Sequence, residues 1–347
     1  MNASPILITG ATGWLGRRFV DVILNGLPEL PQEKPKFEGT LRCIVPHNVA
    51  GKSPANQNIV FVPGDLRNQS DCDDLCAGTG SWLLFHIAGV IHPSRIREFY
   101  EVNVEGTRNI LRSAVKAGVR RAVVVSSNSP FGNNPARTHR FDENSPFNPY
   151  RNYGRSKMLM EQVVREFQET GKLETVILRA PWFYGPFQPP RQTVFFRMIR
   201  DGKCPIVGDG NNHRSMVYID HLCQALIKAA LVERANGKAY WIADERPYTM
   251  NEIVDTVERL LEQEFHIPCA HKRIRLPAIA ATIAEFLDAA IQGAGLYNQR
   301  IHVLSEMDKT IACSIEKAKI DLEYRPFVDL EEGMRRSIRY CVENSVL

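Results

Sequence analysis

Short apolar runs alternate with amphipathic stretches through the first half of the chain. Ile6-Leu7-Ile8-Thr9, Leu41 to Val45, Ile59 to Val62, Trp82 to Ile87, Arg121 to Val125 and Thr175 to Arg179 read as buried strands, too short and too uniformly apolar for amphipathic helices. Between them, Arg17 to Leu24, the segment from Tyr100 to Gly118 and the segment from Tyr153 to about Thr170 read as helices. Strands and helices in alternation predict an α/β fold with a doubly wound parallel sheet. After Arg179 the pattern changes to short helices near Thr193 to Asp201, Asp220 to Glu233 and Thr249 to Glu264, with one return strand, Ala239 to Ile242, added to the sheet. Lys272 to Leu347 reads as mostly helical. The expected division is residues 1–180 plus about 214–245 as a sheet domain, and 181–213 plus 246–347 as a smaller, mostly helical substrate cap. Gly26 to Gly39, rich in Pro, Glu and Lys, is longer than a typical helix-to-strand loop and predicts a surface excursion.

Composition narrows the class. A chain of 347 residues, 44% hydrophobic, can bury a large core. The net charge of +4 is small and its lysines and arginines are scattered, which gives no footprint for nucleic acid or an anionic membrane but permits an anionic substrate. Eight cysteines stand at irregular positions, and Cys72 with Cys76 lacks a second pair at metal-site spacing, so no metal is expected and reduced thiols are. The glycine turn interrupts any signal peptide within Met1 to Gly26, and no apolar stretch reaches membrane-span length; a cytoplasmic location is expected.

The chemistry starts at Gly10-Ala11-Thr12-Gly13-Trp14-Leu15-Gly16, between the first strand and the first helix. A dinucleotide's pyrophosphate needs this arrangement: Gly10 for unusual dihedrals, Gly13 for backbone approach to phosphate, Gly16 for helix packing, and the N–H groups of the helix start facing the anion. NAD binding calls for a carboxylate at the end of the second strand, but that end reads Val45-Pro46-His47-Asn48. With Arg17, Arg18, His47 and Lys52 in reach of a phosphate, NADP(H) is mildly preferred over NAD(H). Asp65-Leu66 follows the third strand, where an aspartate suits a turn or a helix N-cap. Ala88 and Gly89 are small where backbone passes close to a cofactor, with His92 beyond them. Tyr153 and Lys157, at i and i+4, share a helix face, and Ser126-Ser127 ends the fifth strand on the rim where ligands bind in an open parallel sheet.

Together Gly10 to Gly16, Asp65-Leu66, Asn103 to Thr107, Ser126-Ser127, Tyr153 to Lys157 and Leu178 to Pro186 resemble the extended short-chain dehydrogenase/reductases of the NAD-dependent epimerase/dehydratase and 3β-hydroxysteroid dehydrogenase type. The resemblance implies a Rossmann domain and a Ser127, Tyr153 and Lys157 triad, with Ser129 the rival hydroxyl and Asn103 supporting the site. It further implies a homodimer paired through the long central helices, and cofactor contacts from the glycine turn, Asp65, Leu66, Ala88, Gly89, Lys157 and Pro181. The activity implied is hydride transfer between nicotinamide and a secondary alcohol or ketone, with NDP-sugar epimerase or dehydratase chemistry as the alternative. Substrate contacts are expected from His92, Ser129, Phe131, Phe183, Gln188, Arg191 and Arg214. Arg214 matches an arginine that grips a diphosphate in the sugar-nucleotide enzymes, or is a structural arginine bonded to backbone or to Asp220. Trp182 stands where those epimerases carry asparagine, and Ile279, Ile283, Phe286, Leu287, Ala290 and Ile291 suit either a cover over an apolar substrate or an ordinary core-facing helix.

Overall fold

The computed structural model describes residues 5–30, 39–48, 58–78 and 83–347, the side chain of Arg191 excepted. In chain order it runs β1 (Ile6–Thr9), α1 (Trp14–Asn25), β2 (Leu41–Val45), β3 (Ile59–Pro63), α2 (Gln69–Cys76), β4 (Leu83–His86), α3 (Arg97–Tyr100), α4 (Thr107–Lys116), β5 (Arg121–Ser127), α5 (Arg151–Glu169) and β6 (Glu174–Ala180). There follow β7 (Trp182–Tyr184), α6 (Pro190–Arg200), β8 (Pro205–Val207), β9 (His213–Arg214), β10 (Met216–Tyr218), α7 (Ile219–Leu231), β11 (Lys238–Trp241), β12 (Tyr248–Thr249) and α8 (Met250–Gln263). The chain ends with β13 (Ile274–Leu276), α9 (Ile279–Gly293), α10 (Gln299–Glu306), α11 (Glu316–Leu322) and α12 (Leu330–Glu343). Trp82, Lys52 and most of the Gly26 to Gly39 excursion lie outside the described residues.

Seven strands form one sheet in the order β11-β6-β5-β4-β1-β2-β3, every neighbouring pair parallel. Alternate residues feed opposite layers: Ile8, Phe85 and Val123 pack with Phe19 and Leu222 on one side, Leu7, Leu84 and Ala122 with Leu111 and Val163 on the other. Burial on both faces explains why the strands lack polar alternation. The chain leaves β1 for β2 and β3 on one side, then crosses back to lay β4 on the other. The crevice beyond the C-terminal ends of β1 and β4 is therefore the switch point where ligands bind.

The helix boundary at α1 differs from expectation. Trp14, Leu15 and Gly16 belong to its first turn, because Gly13 takes the extended conformation of an N-cap. None of the eight cysteines is in a disulfide, and among the described residues no cluster could hold a metal. Beyond β6, β7 pairs with β10, β9 with β12 and β8 with β13 in three small two-stranded sheets. Helix α9 neither covers a cavity with its apolar residues nor buries them: Ile279, Ile283, Phe286 and Leu287 face solvent, while Ala281, Ala284, Asp288 and Gln292 are buried. Both readings drawn from its periodicity are thereby corrected. Asp288 draws that face inward through hydrogen bonds with His302 and Gln292.

Candidate active site

Two glycines of the turn are fixed by the geometry. Gly10 has φ of +78° and lies so close to the loop after β4 that a Cβ would stand 2.7 Å from the Ala88 nitrogen. A Cβ on Gly16 would stand 1.9 Å from the Gly10 carbonyl oxygen, so Gly16 lets the helix close onto the turn itself rather than onto the sheet. Helix α1 begins with no side-chain cap and no acid in its first turn. Its first N–H groups are left for an anion, a cradle that suits a dinucleotide diphosphate.

Behind the turn runs a buried polar chain. Thr9 at the end of β1 bonds His86 at the end of β4, His86 bonds Thr107 on α4, both at 2.8 Å, and Thr107 donates to the Asn103 carbonyl. Burial draws the His86 imidazole down to about 3, so it is neutral at pH 7. Asn103 lies in a π-helical turn, Glu101–Gly106, between α3 and α4. Its side-chain oxygen accepts from the Val90 N–H at 2.8 Å, and its amide donates to the Val90 carbonyl and the Ser156 hydroxyl. Asn103 thus anchors the Ala88 to Val90 loop to α5 from behind and does not line the cavity.

Ser127, Tyr153 and Lys157 line the same cavity as the glycine turn. Gly154 makes this possible: a Cβ there would stand 2.4 Å from the Ser129 carbonyl oxygen, so α5 can press against the loop that follows β5. The Ser127 and Ser129 hydroxyls lie 3.2 Å apart. Burial pushes the Tyr153 phenol up to about 12, opposed by the Ser127 hydroxyl beside it. Burial also draws the Lys157 ammonium down to about 8, and its Nζ donates to the Val125 carbonyl at 2.9 Å. Burial thus dominates the phenol, and the Lys157 ammonium is bonded to β5. A bound nicotinamide would supply the hydride acceptor or donor; Tyr153 can move a proton at its Oη, Ser127 can donate to a substrate oxygen, and Lys157 can reach a ribose hydroxyl.

These groups face one cavity of about 700 Å³. From the glycine turn, Gly10, Thr12, Gly13, Trp14, Leu15 and Gly16 line it; Ala88, Gly89, His92, Ser129, Pro181, Phe183 and Arg214 join them from other segments. Its charged lining among the described residues is Arg17, Lys157, Arg214 and Glu306, three cations against one carboxylate. The Arg214 guanidinium donates to the Glu306 carbonyl at 3.2 Å, and burial lowers its pKa, opposed by Glu306 and Asp308.

Other expected contacts lie elsewhere. Phe131 is core: it packs on Phe141, Phe147 and Trp241 beneath the Arg179 guanidinium, away from the cavity. Gln188 is buried and is not part of the cavity lining. Arg191 sits in the first turn of α6, its side chain outside the described residues. His47, Asp65 and Leu66 are also outside the lining; Asp65 is held by Arg67, and exposed His47 lies 3.8 Å from Asp71. Arg18 cannot serve a phosphate, because Asp220 occupies it. The sequence reading missed Glu306 and Tyr297. Tyr297 bonds His92 at 2.9 Å and stacks edge-on with Phe99, which in turn packs on Tyr153.

A switch-point crevice with a glycine turn and a Ser-Tyr-Lys constellation defines the extended short-chain dehydrogenase/reductases, nicotinamide-dependent enzymes of hydride transfer. Residues 6–243 match the model of the NAD dependent epimerase/dehydratase family, and the chain belongs to that family. It is 48% identical over 346 residues to protein y4nL of Sinorhizobium fredii (strain NBRC 101917 / NGR234), covering 99% of this chain and 97% of that one. It is 29% identical over 276 residues to the N-acetyl-alpha-D-glucosaminyl-diphospho-ditrans,octacis-undecaprenol 4-epimerase of Escherichia coli O157:H7, covering 78% and 76% of the two chains. Among solved structures, the dTDP-glucose 4,6-dehydratase DesIV of Streptomyces venezuelae, with NAD and TYD bound, superimposes with a TM-score of 0.74 at 25% identity, covering 98% of this chain and 97% of that one.

Proposed function

We propose that the enzyme oxidises a secondary alcohol of a sugar carried on a diphosphate and returns the hydride to the same molecule, as an epimerase or dehydratase does. One observation carries the choice of substrate. Arg214 lines the cavity wall and, although it donates to a backbone carbonyl as a structural arginine also would, it is in no ion pair among the described residues, Asp220 being bonded to Arg18. A guanidinium so placed suits bidentate binding of a diphosphate.

In this reading Tyr153 is the base, Ser127 steadies the developing oxyanion, Lys157 holds the ribose, and Asn103 positions the loop. The cofactor is NAD rather than NADP, since the phosphate-binding role given to Arg18 is lost and DesIV was solved with NAD. Residues 1–180 plus about 214–245 hold the cofactor, and 181–213 plus 246–347 form the cap. A homodimer, implied by the resemblance, and the cytoplasmic location expected from the sequence belong to the same reading. Net reduction of an apolar ketone is the second reading, favoured by Trp182, Phe195, Met198 and Val303 in the wall.

UDP binding tests the choice. Millimolar UDP should raise the melting temperature, and Arg214→Ala should weaken UDP by about 2 kcal/mol, roughly thirtyfold. No shift in the wild-type protein would favour the ketone reductase.

A further inference from the structure

Helix α9 is built inside out. A surface helix ordinarily turns its apolar stripe to the core. Here the inward positions are Ala281, Ala284, Asp288 and Gln292, at three- and four-residue spacing, and the outward ones include Ile279, Ile283, Phe286 and Leu287, exposed by 62%, 54%, 72% and 52%. The orientation is locked. Asp288 bonds His302 at 2.9 Å and Gln292 at 2.8 Å, with the Arg151 guanidinium 4.0 Å away, and Gln292 accepts from Asn152 on α5. Rolling the helix to bury its apolar side would strip a buried carboxylate of these partners.

The charge around this face is one-sided. Lys272 and Arg275, on the segment leading into α9, and Arg300, just beyond it, are exposed and form no ion pair among the described residues. The acids of the helix are engaged: Glu285 lies 3.6 Å from Arg151 and 3.9 Å from Lys309, and Asp288 is buried. Arg273 and His271 are paired to acids of α8. An apolar helix face framed by unpaired cations is complementary to an anionic lipid headgroup layer. A second copy laid on the same face would set these cations against themselves. Leu296 and Val303 carry exposed apolar surface onward, and Val303 also lines the active-site cavity.

We propose that α9, framed by Lys272, Arg275 and Arg300, docks the enzyme on the surface of an anionic phospholipid bilayer. The contact is peripheral, since no described helix is long and apolar enough to cross a membrane. It departs from the reading of the sequence, where a small and scattered net charge gave no membrane footprint, because three exposed cations stand on the segments flanking one apolar face. The proposal is independent of the substrate.

Flotation of the full chain with phosphatidylcholine vesicles, with and without about a third of phosphatidylglycerol, tests it. The protein should rise with the anionic vesicles, stay behind with the neutral ones, and be released by high salt. Phe286→Glu and the double variant Lys272→Glu/Arg275→Glu should each lower the partition coefficient by about tenfold or more. Phe286 touches little of the core, and an unchanged melting curve checks that the variant folds. Failure to float, equal binding to neutral vesicles, or binding unchanged in both variants would overturn the proposal. So would light scattering that shows a wild-type dimer dissociated by Phe286→Glu, which would assign the face to a second copy.

Discussion

Arg18 grips Asp220 through two hydrogen bonds of 2.6 and 2.8 Å, tying the helix behind the glycine turn to α7 across 202 positions of the chain. Asp220 is almost wholly buried, so the pair is worth most when both members are present. Arg18→Met should destabilise the fold by about 3 kcal/mol, read from denaturant unfolding, and leave the ratio of NAD to NADP affinity unchanged. A several-fold change in that ratio would return Arg18 to the cofactor.

The triad members should fail in different ways. Tyr153→Phe removes a proton carrier and should abolish turnover with cofactor affinity nearly unchanged, whereas Lys157→Ala should harm both, because the ammonium also reaches the ribose. Steady-state kinetics beside cofactor titration separates the two. Most of the activity surviving in Tyr153→Phe would remove the phenol from the mechanism.

At Gly154 a single methyl group is too much. With its Cβ 2.4 Å from the Ser129 carbonyl oxygen, Gly154→Ala must push α5 away from the loop after β5, separating Tyr153 from Ser127. A stability loss of about 1–3 kcal/mol is expected. The fall in kcat should exceed tenfold even well below the melting temperature, and wild-type kcat in this variant would contradict the close fit.

Neutral His86 makes the fold sensitive to acid. Its pKa is about 3 in the folded chain and about 6.5 when unfolded, so below that higher value the unfolded state takes up a proton that the folded state refuses. Stability from this group is present above about pH 6.5 and falls as pH drops toward about 3, by up to about 1.4 kcal/mol per pH unit. Denaturant midpoints across this range should show a shallower slope for His86→Gln. An identical slope in the two proteins would place the acid sensitivity elsewhere.

The features legible in the sequence were those made by neighbours along the chain. Gly10 to Gly16 lie within one turn, and Tyr153 and Lys157 within one helix, so spacing alone shows what they can face. The partner of Arg18 could not be read, because Asp220 reaches it only after the sheet has folded. Glu306 and Tyr297 escaped for the same reason, arriving from the last quarter of the chain at a site laid out in the first half. Phe131 went astray by its neighbourhood: it follows Ser127 closely, but one turn of 3-10 helix carries it under the sheet's edge and onto Arg179. The periodicity of α9 was visible, yet periodicity does not say which face goes inward. The hydrogen bonds of Asp288 decide that.

The π-helical turn that carries Asn103 makes the length of its segment matter more than its composition. A π turn closes its hydrogen bonds one residue further along than an α turn, so Glu101–Gly106 holds one residue of surplus winding. Deleting one residue there would let the segment rewind as plain α with the helices on either side still in phase, so the change would fall on the turn itself. Thr107 would keep His86, while Asn103 would turn away from Val90 and Ser156. Point substitutions sample this region gently, while a single-codon deletion would release the loop after β4 from α5.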